Sequence, residues 1–163
     1  MNTKINLLDG MLDSDGPKIV GWSEVYATRI ENIDNQHKEL INLTNELYQA
    51  CLSGKETANA VFKDAMKRMV DYVNFHFSTE QKLLERVKFP DAAEHKKQHD
   101  ALIKKILDSV KDFDKGINFV PNNFARTLKD WILSHIAVFD KAYALYIFDL
   151  KRKGVITDQQ ING

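Results

Sequence analysis

The sequence predicts an all-α protein, an antiparallel up-down-up-down four-helix bundle with a short N-terminal arm. Glycine and proline number only 7 and 3 in 163 residues, and they stand between long segments as punctuation. Inside those segments apolar residues recur at three- and four-residue steps, with little of the Val/Ile/Thr alternation that strands require. Four such segments joined by short connections pack most simply as antiparallel neighbours.

Residues 1–21 contain Gly10, Gly16, Pro17 and Gly21 and one brief apolar cluster, Leu7, Leu8, Met11 and Leu12, so they read as an irregular arm. The bundle itself is expected over 22–153. Its first helix runs from about Glu31 to Ser53 with Gly54 as its stop, because Ile33, His37, Leu40, Ile41, Leu47 and Cys51 share one stripe. The second starts near Thr57 and carries Phe62, Met66, Met69, Val73, His76, Glu80, Leu83 and Val87 on one face until Pro90 forbids its continuation. The third, from about Asp91 to Asp114, ends before Gly116 and aligns His95, His99, Leu102, Ile106, Val110 and Phe113. The fourth begins after Pro121 and Asn122 and aligns Phe124, Leu128, Trp131, Ile132, His135, Ile136, Phe139 and Tyr143 before Gly154. Lys151, Arg152 and Lys153 fall in its last turn, where positive charge complements the helix dipole. Residues 154–163 read as a polar C-terminal tail.

With 44% hydrophobic and 28% charged residues, the chain suits one ordinary soluble domain with a real core. The 23 Lys+Arg balance the 23 Asp+Glu, which leaves no broad positive field for nucleic acid or an anionic membrane. The longest apolar runs, such as Leu145-Tyr146-Ile147-Phe148, are far shorter than the roughly 18 residues a spanning helix needs. No secretory pattern is visible near Lys4, Asp9, Asp13 and Asp15, so the expected location is cytoplasmic. With Cys51 as the single cysteine, one chain builds neither a disulfide nor a thiolate cluster, and any metal must rest on His and carboxylates.

All five histidines, His37, His76, His95, His99 and His135, fall on the inferred core stripes. One buried histidine is ordinarily bonded to a carbonyl or hydroxyl. Five, together with Glu80 and Asp140, cost several kcal/mol per unpaired charged group unless something compensates them. A shared cation supplies that compensation. Four residues along a helix return a side chain to within about 40° of its starting direction, so His76 with Glu80 and His95 with His99 are natural ligand pairs. His135 and Asp140 are five apart, a rotation of about 140° in an ideal helix. Both reach one centre only if the helix is widened or two adjacent metals share them, and a π-like turn between them is therefore expected.

Five neutral nitrogens and two carboxylates are too many for one tetrahedral zinc and too nitrogen-rich for calcium or magnesium. They suit a pair of iron ions bridged by the carboxylates. The Glu-x-x-His pairs of ferritin-like sites are absent, since Asp34, Val73, Ala92, Lys96 and Ile132 stand three before the histidines. Lys96, Lys97 and Gln98 between His95 and His99 likewise break the zincin pattern.

At this point the sequence resembles the hemerythrins, most closely their bacterial branch, from roughly Trp22 to Arg152. The resemblance rests on Ile33-Asp34-Asn35-Gln36-His37, His76-Phe77-Ser78-Thr79-Glu80, His95-Lys96-Lys97-Gln98-His99, and His135-Ile136 with Asp140-Lys141. It implies that His95, His99 and His135 hold one iron and His37 and His76 the other. Glu80, Asp140 and a solvent-derived oxygen would bridge them. The second iron would be one ligand short, and in the family O2 binds there, leaving as it came after a spell as hydroperoxide. Ile132, about one turn before His135, and Ile136, directly after it, are candidates for the dry wall of an O2 pocket. Trp131 and Phe139 are assigned to the core, and Trp22 and Tyr26 match aromatic positions that precede the family's first helix.

There are departures. Arg29 stands where the bacterial branch often has a glycine, the arm at 1–21 is longer than a minimal member needs, and the tail is extra. Cys51, the lone cysteine, argues against the iron-sulfur-repair relatives. The expected function is reversible O2 binding as carrier, store or sensor, with no organic substrate and so no enzyme activity. Two alternatives stand beside it: a di-iron redox enzyme or scavenger acting on peroxide, nitric oxide or ferrous iron, and a redox-sensing module that engages a protein partner through the 1–21 arm.

Overall fold

A computed structural model describes residues 16–52, 55–116 and 121–162, the side chains of 55–58 excepted. The apolar cluster at Leu7 to Leu12 lies outside the described residues. Four long helical segments follow a 3-10 turn at Glu24–Tyr26: α1 (Glu31–Leu52), α2 (Lys55–Arg86), α3 (Ala92–Asp114) and α4 (Pro121–His135). α4 passes through a π turn (Ile136–Asp140) into α5 (Lys141–Arg152), and a short α6 (Asp158–Asn162) closes the chain. No strand occurs among the described residues. No described helix is long and apolar enough to cross a membrane.

Cross-helix contacts give the directions. Arg68 near the start of α2 pairs with Glu46 near the end of α1 at 2.6 Å, and Lys63 of α2 pairs with Asp114 at the end of α3 at 2.8 Å. The Arg126 guanidinium at the start of α4 lies 5.7 Å from the ring of Tyr48 near the end of α1. Successive helices are thus antiparallel, the up-down-up-down bundle that short connections favour. The interior divides into two apolar clusters. The larger, including Leu47, Phe62, Met69, Ile106 and Leu128, fills the end where α1 finishes and α2 begins. The smaller, including Ile33, Leu84, Tyr143 and Ile147, fills the other. A leucine or methionine buried as fully as Leu47 or Met69 contributes about 2 kcal/mol by leaving water.

The helix ends follow the chemistry of their stops. α2 ends four residues before Pro90, earlier than proline alone requires. Lys88 takes the left-handed conformation (φ 55°), and the Phe89 amide donates to Leu84 O at 2.9 Å and the Lys88 amide to Glu85 O at 3.2 Å. That is a Schellman closure, with proline holding the residue before it out of the helix. Gly154 (φ 71°) closes α5 in the same way, the Val155 amide donating to Leu150 O at 2.9 Å.

Both flanking segments are tied down. The Ile19 and Val20 amides donate to Oδ1 of the buried Asn45 at 3.0 and 3.1 Å, and its Nδ2 donates back to Val20 O at 2.8 Å. Lys141 donates to Ala27 O at 2.7 Å, fastening the segment just before α1 beside the π turn. The tail read from its polarity carries α6, whose Ile161, with Ile156 before it, packs on the smaller cluster. Arg86 holds it by donating to Gln160 O at 3.0 Å.

Candidate metal centre

Each helix delivers its candidate ligands by a local rule. Asp34 ties the start of α1: its Oδ1 accepts from the Thr28 amide and hydroxyl, both at 2.7 Å, and its Oδ2 accepts from the Arg29 amide at 3.0 Å. Arg29 pays for that loop with φ 65°, a left-handed conformation that glycine adopts at less cost. His37 follows one turn into the helix. His76 and Glu80, and His95 and His99, are one turn apart on α2 and α3. The expected widened turn is present: α4 stops at His135 and the π turn Ile136–Asp140 returns Asp140 to the same side.

The seven side chains meet between the two apolar clusters, each 4% exposed or less. The Nε2 atoms of His95, His99 and His135 form a triangle with sides of 3.0, 2.9 and 3.1 Å. Asp140 turns Oδ1 toward this triangle, 3.2 Å from His95 and 3.1 Å from His135, and Oδ2 toward His37 Nε2 at 3.1 Å. Glu80 Oε2 lies 3.2 Å from His99 Nε2 and 3.4 Å from His76 Nε2. Two donor groups result, one of His95, His99 and His135 and one of His37 and His76, and both carboxylates belong to each.

This donor set fits two cations. Three imidazole nitrogens aimed at one point cannot all be satisfied by one another's protons. Their spacing of about 3 Å is what ligands at right angles around an ion make when the bonds are roughly 2.1 Å. His37 Nε2, Glu80 Oε2 and both Asp140 oxygens are buried without a hydrogen-bond partner. Leaving such groups unpaired is costly, and positive ions pair all of them at once.

The electrostatics agree. Burial alone would depress the pKa of His37 and His95, yet Asp140 and Glu80 together outweigh it and raise both to about 9. Burial dominates at His76, lowering it to about 4, and it lowers His99 too. Burial would raise the carboxylates, but the imidazoles hold Glu80 and Asp140 below their ordinary range.

Several supporting residues carry no signal in local spacing. Gln36 Oε1 accepts from His76 Nδ1 at 2.9 Å, while its amide nitrogen donates to Asn32 at 3.4 Å. This places the proton on Nδ1 and leaves Nε2 free for the centre. Tyr143, read only as a stripe residue, donates its phenol hydrogen to Glu80 Oε1. Phe77 stacks on His99 with centroids 3.6 Å apart, and Trp131, assigned to the core, is half-buried and stacks on His135 at 4.5 Å. Ile132 and Ile136 are buried in the larger cluster on either side of His135. Cys51 is half-buried, its thiol donating to Leu47 O at 3.0 Å and pushed up to about 11 by burial. It is an inert packing residue.

Comparison with known proteins agrees with this geometry. Residues 28–145 match the family model described as the hemerythrin HHE cation binding domain. The chain is 30% identical over 126 residues to the bacteriohemerythrin of Methylococcus capsulatus, covering 77% of this chain and 94% of that protein. It is 31% identical over 122 residues to the bacteriohemerythrin of Pseudomonas aeruginosa, covering 75% and 77%. A solved structure of wild-type hemerythrin superimposes with a TM-score of 0.72 at 28% identity, over 77% of this chain and 95% of that one.

Proposed function

The chain belongs to the hemerythrin family of non-heme iron-binding domains, and from that premise we propose that it binds O2 reversibly at a pair of irons. The observation that carries the reading is the unequal division of nitrogens around two shared carboxylates, three on one side and two on the other. His95, His99 and His135 would hold one iron, His37 and His76 the other, with Glu80 and Asp140 common to both. An iron on the two-nitrogen side would have fewer protein ligands and so could take a small exogenous one. Two irons held by these residues would supply the pair of electrons that reversible O2 binding requires.

The chain's own residues make that reversible. Gln36 keeps the proton of His76 on Nδ1, so the lone pair faces the centre. Tyr143 fixes one oxygen of Glu80 and leaves the other turned inward. Ile132 and Ile136 present apolar surface beside His135, which keeps out water that would release reduced oxygen. With every ligand side chain buried, the centre admits diatomic ligands more readily than an organic substrate. This supports a carrier, store or sensor over an enzyme.

The test is an optical cycle on protein loaded anaerobically with ferrous iron. O2 is admitted and then removed. A spectrum that appears and returns over repeated cycles supports the reading. Rapid one-way conversion to the ferric form, or steady consumption of peroxide or nitric oxide with an electron donor, favours the redox-enzyme alternative.

A further inference from the structure

We infer that Trp131 and Phe139 position the His135 imidazole by stacking on its two faces, doing what a hydrogen bond to the second ring nitrogen ordinarily does for a metal-binding histidine. The inference rests on the reading of the cluster as a metal centre. It gives a task to two aromatic side chains whose spacing along the chain otherwise reads as core packing.

The need for such a restraint is visible at the ring itself. His135 Nε2 lies 2.9 Å from His99 Nε2 and 3.1 Å from His95 Nε2, so it faces the centre. Its Nδ1 is buried and has no hydrogen-bond partner among the described residues. A histidine that binds metal through one nitrogen is ordinarily oriented by an acceptor at the other. His76 has one, Gln36 Oε1 at 2.9 Å, and His135 does not. The last torsion of a histidine side chain is broad, so the backbone does not set the ring plane either.

The aromatic neighbours set it. Trp131, four residues before His135, stacks at 4.5 Å between ring centroids with planes 10° apart. Phe139, four residues after it, lies at 5.3 Å and 19°. One reaches the ring from the preceding turn and the other from the following turn, so the imidazole lies between two nearly parallel planes. Rotation about its Cβ–Cγ bond would drive a ring edge into one plane or the other. Phe139 belongs to the π turn Ile136–Asp140, so the turn that returns Asp140 to the cluster also supplies one of the two planes. Trp131 is itself held against the larger apolar cluster, 6.2 Å from Phe77, which lies flush on His99 at 3.6 Å and 3°. The pattern is one-sided. His37 and His76 meet edge to face at 4.9 Å and 74°, and Phe77 is tilted by 48° against His76. Among the described residues, near-parallel stacking thus falls on the three-nitrogen group alone.

Two measurements on the full chain test this. In the metal-free protein, the His135 ring hydrogens should resonate upfield of those of an exposed histidine, and Trp131→Leu should remove much of that shift. An unchanged shift would overturn the stacking. In anaerobic titration with ferrous iron, Trp131→Leu and Phe139→Leu should each weaken the three-nitrogen site about tenfold and leave the two-nitrogen site within about twofold. Trp131→Phe, which restores a flat ring, should recover most of the loss. Leucine serving as well as phenylalanine would overturn the proposal by reducing Trp131 to filler, and so would equal weakening of the two sites. Failure of the natural chain to take up iron would overturn the metal reading and the positioning role with it, while the ring shifts would still report the stacking.

Discussion

Tyr143 donates its phenol hydrogen to Glu80 Oε1 at 2.5 Å, and Glu80 Oε2 is thereby left turned toward His76 and His99. One hydrogen bond from the smaller apolar cluster thus decides which carboxylate oxygen faces both donor groups. Both residues are fully buried, so no solvent replaces the bond when it is lost.

Tyr143→Phe keeps the packing and removes that restraint. The bundle should lose about 1 kcal/mol, read from its denaturation midpoint. Metal affinity should fall about 10- to 100-fold, as it does when a group orienting a ligand is deleted. Chelator competition measures it, and unaltered affinity for both ions would remove the role assigned to Tyr143.

Gln36→Leu acts on one side of the centre only. It strips the partner from His76 Nδ1, whereas the His95, His99 and His135 triangle is untouched. Titration with limiting iron should then show one site of near-normal affinity and one weakened about 10- to 100-fold. Equal weakening of both would contradict the division of ligands.

Proton linkage gives a third expectation. His37 and His95, each raised to about 9, are protonated at pH 7 in the metal-free protein. Loading at that pH should therefore release about two protons per chain, countable by pH-stat, and release should shrink as the pH approaches 9. Stability of the metal-free bundle follows the same signs. The raised histidines contribute fully below their unfolded value of 6.5, and that contribution is lost as pH rises through about 9. His76, lowered to about 4, contributes above 6.5 and loses it as pH falls toward 4. Glu80 and Asp140, held low, lose theirs as the solution becomes more acidic still. Denaturation midpoints should accordingly peak near neutrality, and a midpoint that climbs steadily toward acid would contradict the assignment.

Arg29 offers a fourth. Its left-handed backbone costs an L-residue about 1–2 kcal/mol, and its ion pair with Glu24, at 3.9 Å on an exposed surface, returns little. Arg29→Gly should stabilise the protein by about 1 kcal/mol, somewhat reduced by glycine's greater freedom when unfolded. A lower denaturation midpoint would show that the arginine side chain matters more than its backbone.

Much of the candidate centre was legible because its proposed ligands obey local periodicity. His76 with Glu80 and His95 with His99 announce themselves by a four-residue step, and the awkward five-residue step from His135 to Asp140 predicted the π turn that the structure contains. Gln36 and Tyr143 were not legible in this way. Their partners, His76 and Glu80, stand 40 and 63 residues away and on other helices. No spacing along one helix reports such a contact. The packing of the tail was hidden for a related reason: two isoleucines in a polar stretch look incidental until Arg86 fixes the turn that carries Ile161.

The central claim is that two irons occupy two unequal sets of ligands. Anomalous diffraction at the iron edge from a crystal of the loaded protein tests it most directly. Two peaks are expected, one enclosed by His95, His99 and His135 and the other by His37 and His76, with Glu80 and Asp140 adjoining both. A single peak, or iron outside this cluster, would contradict it.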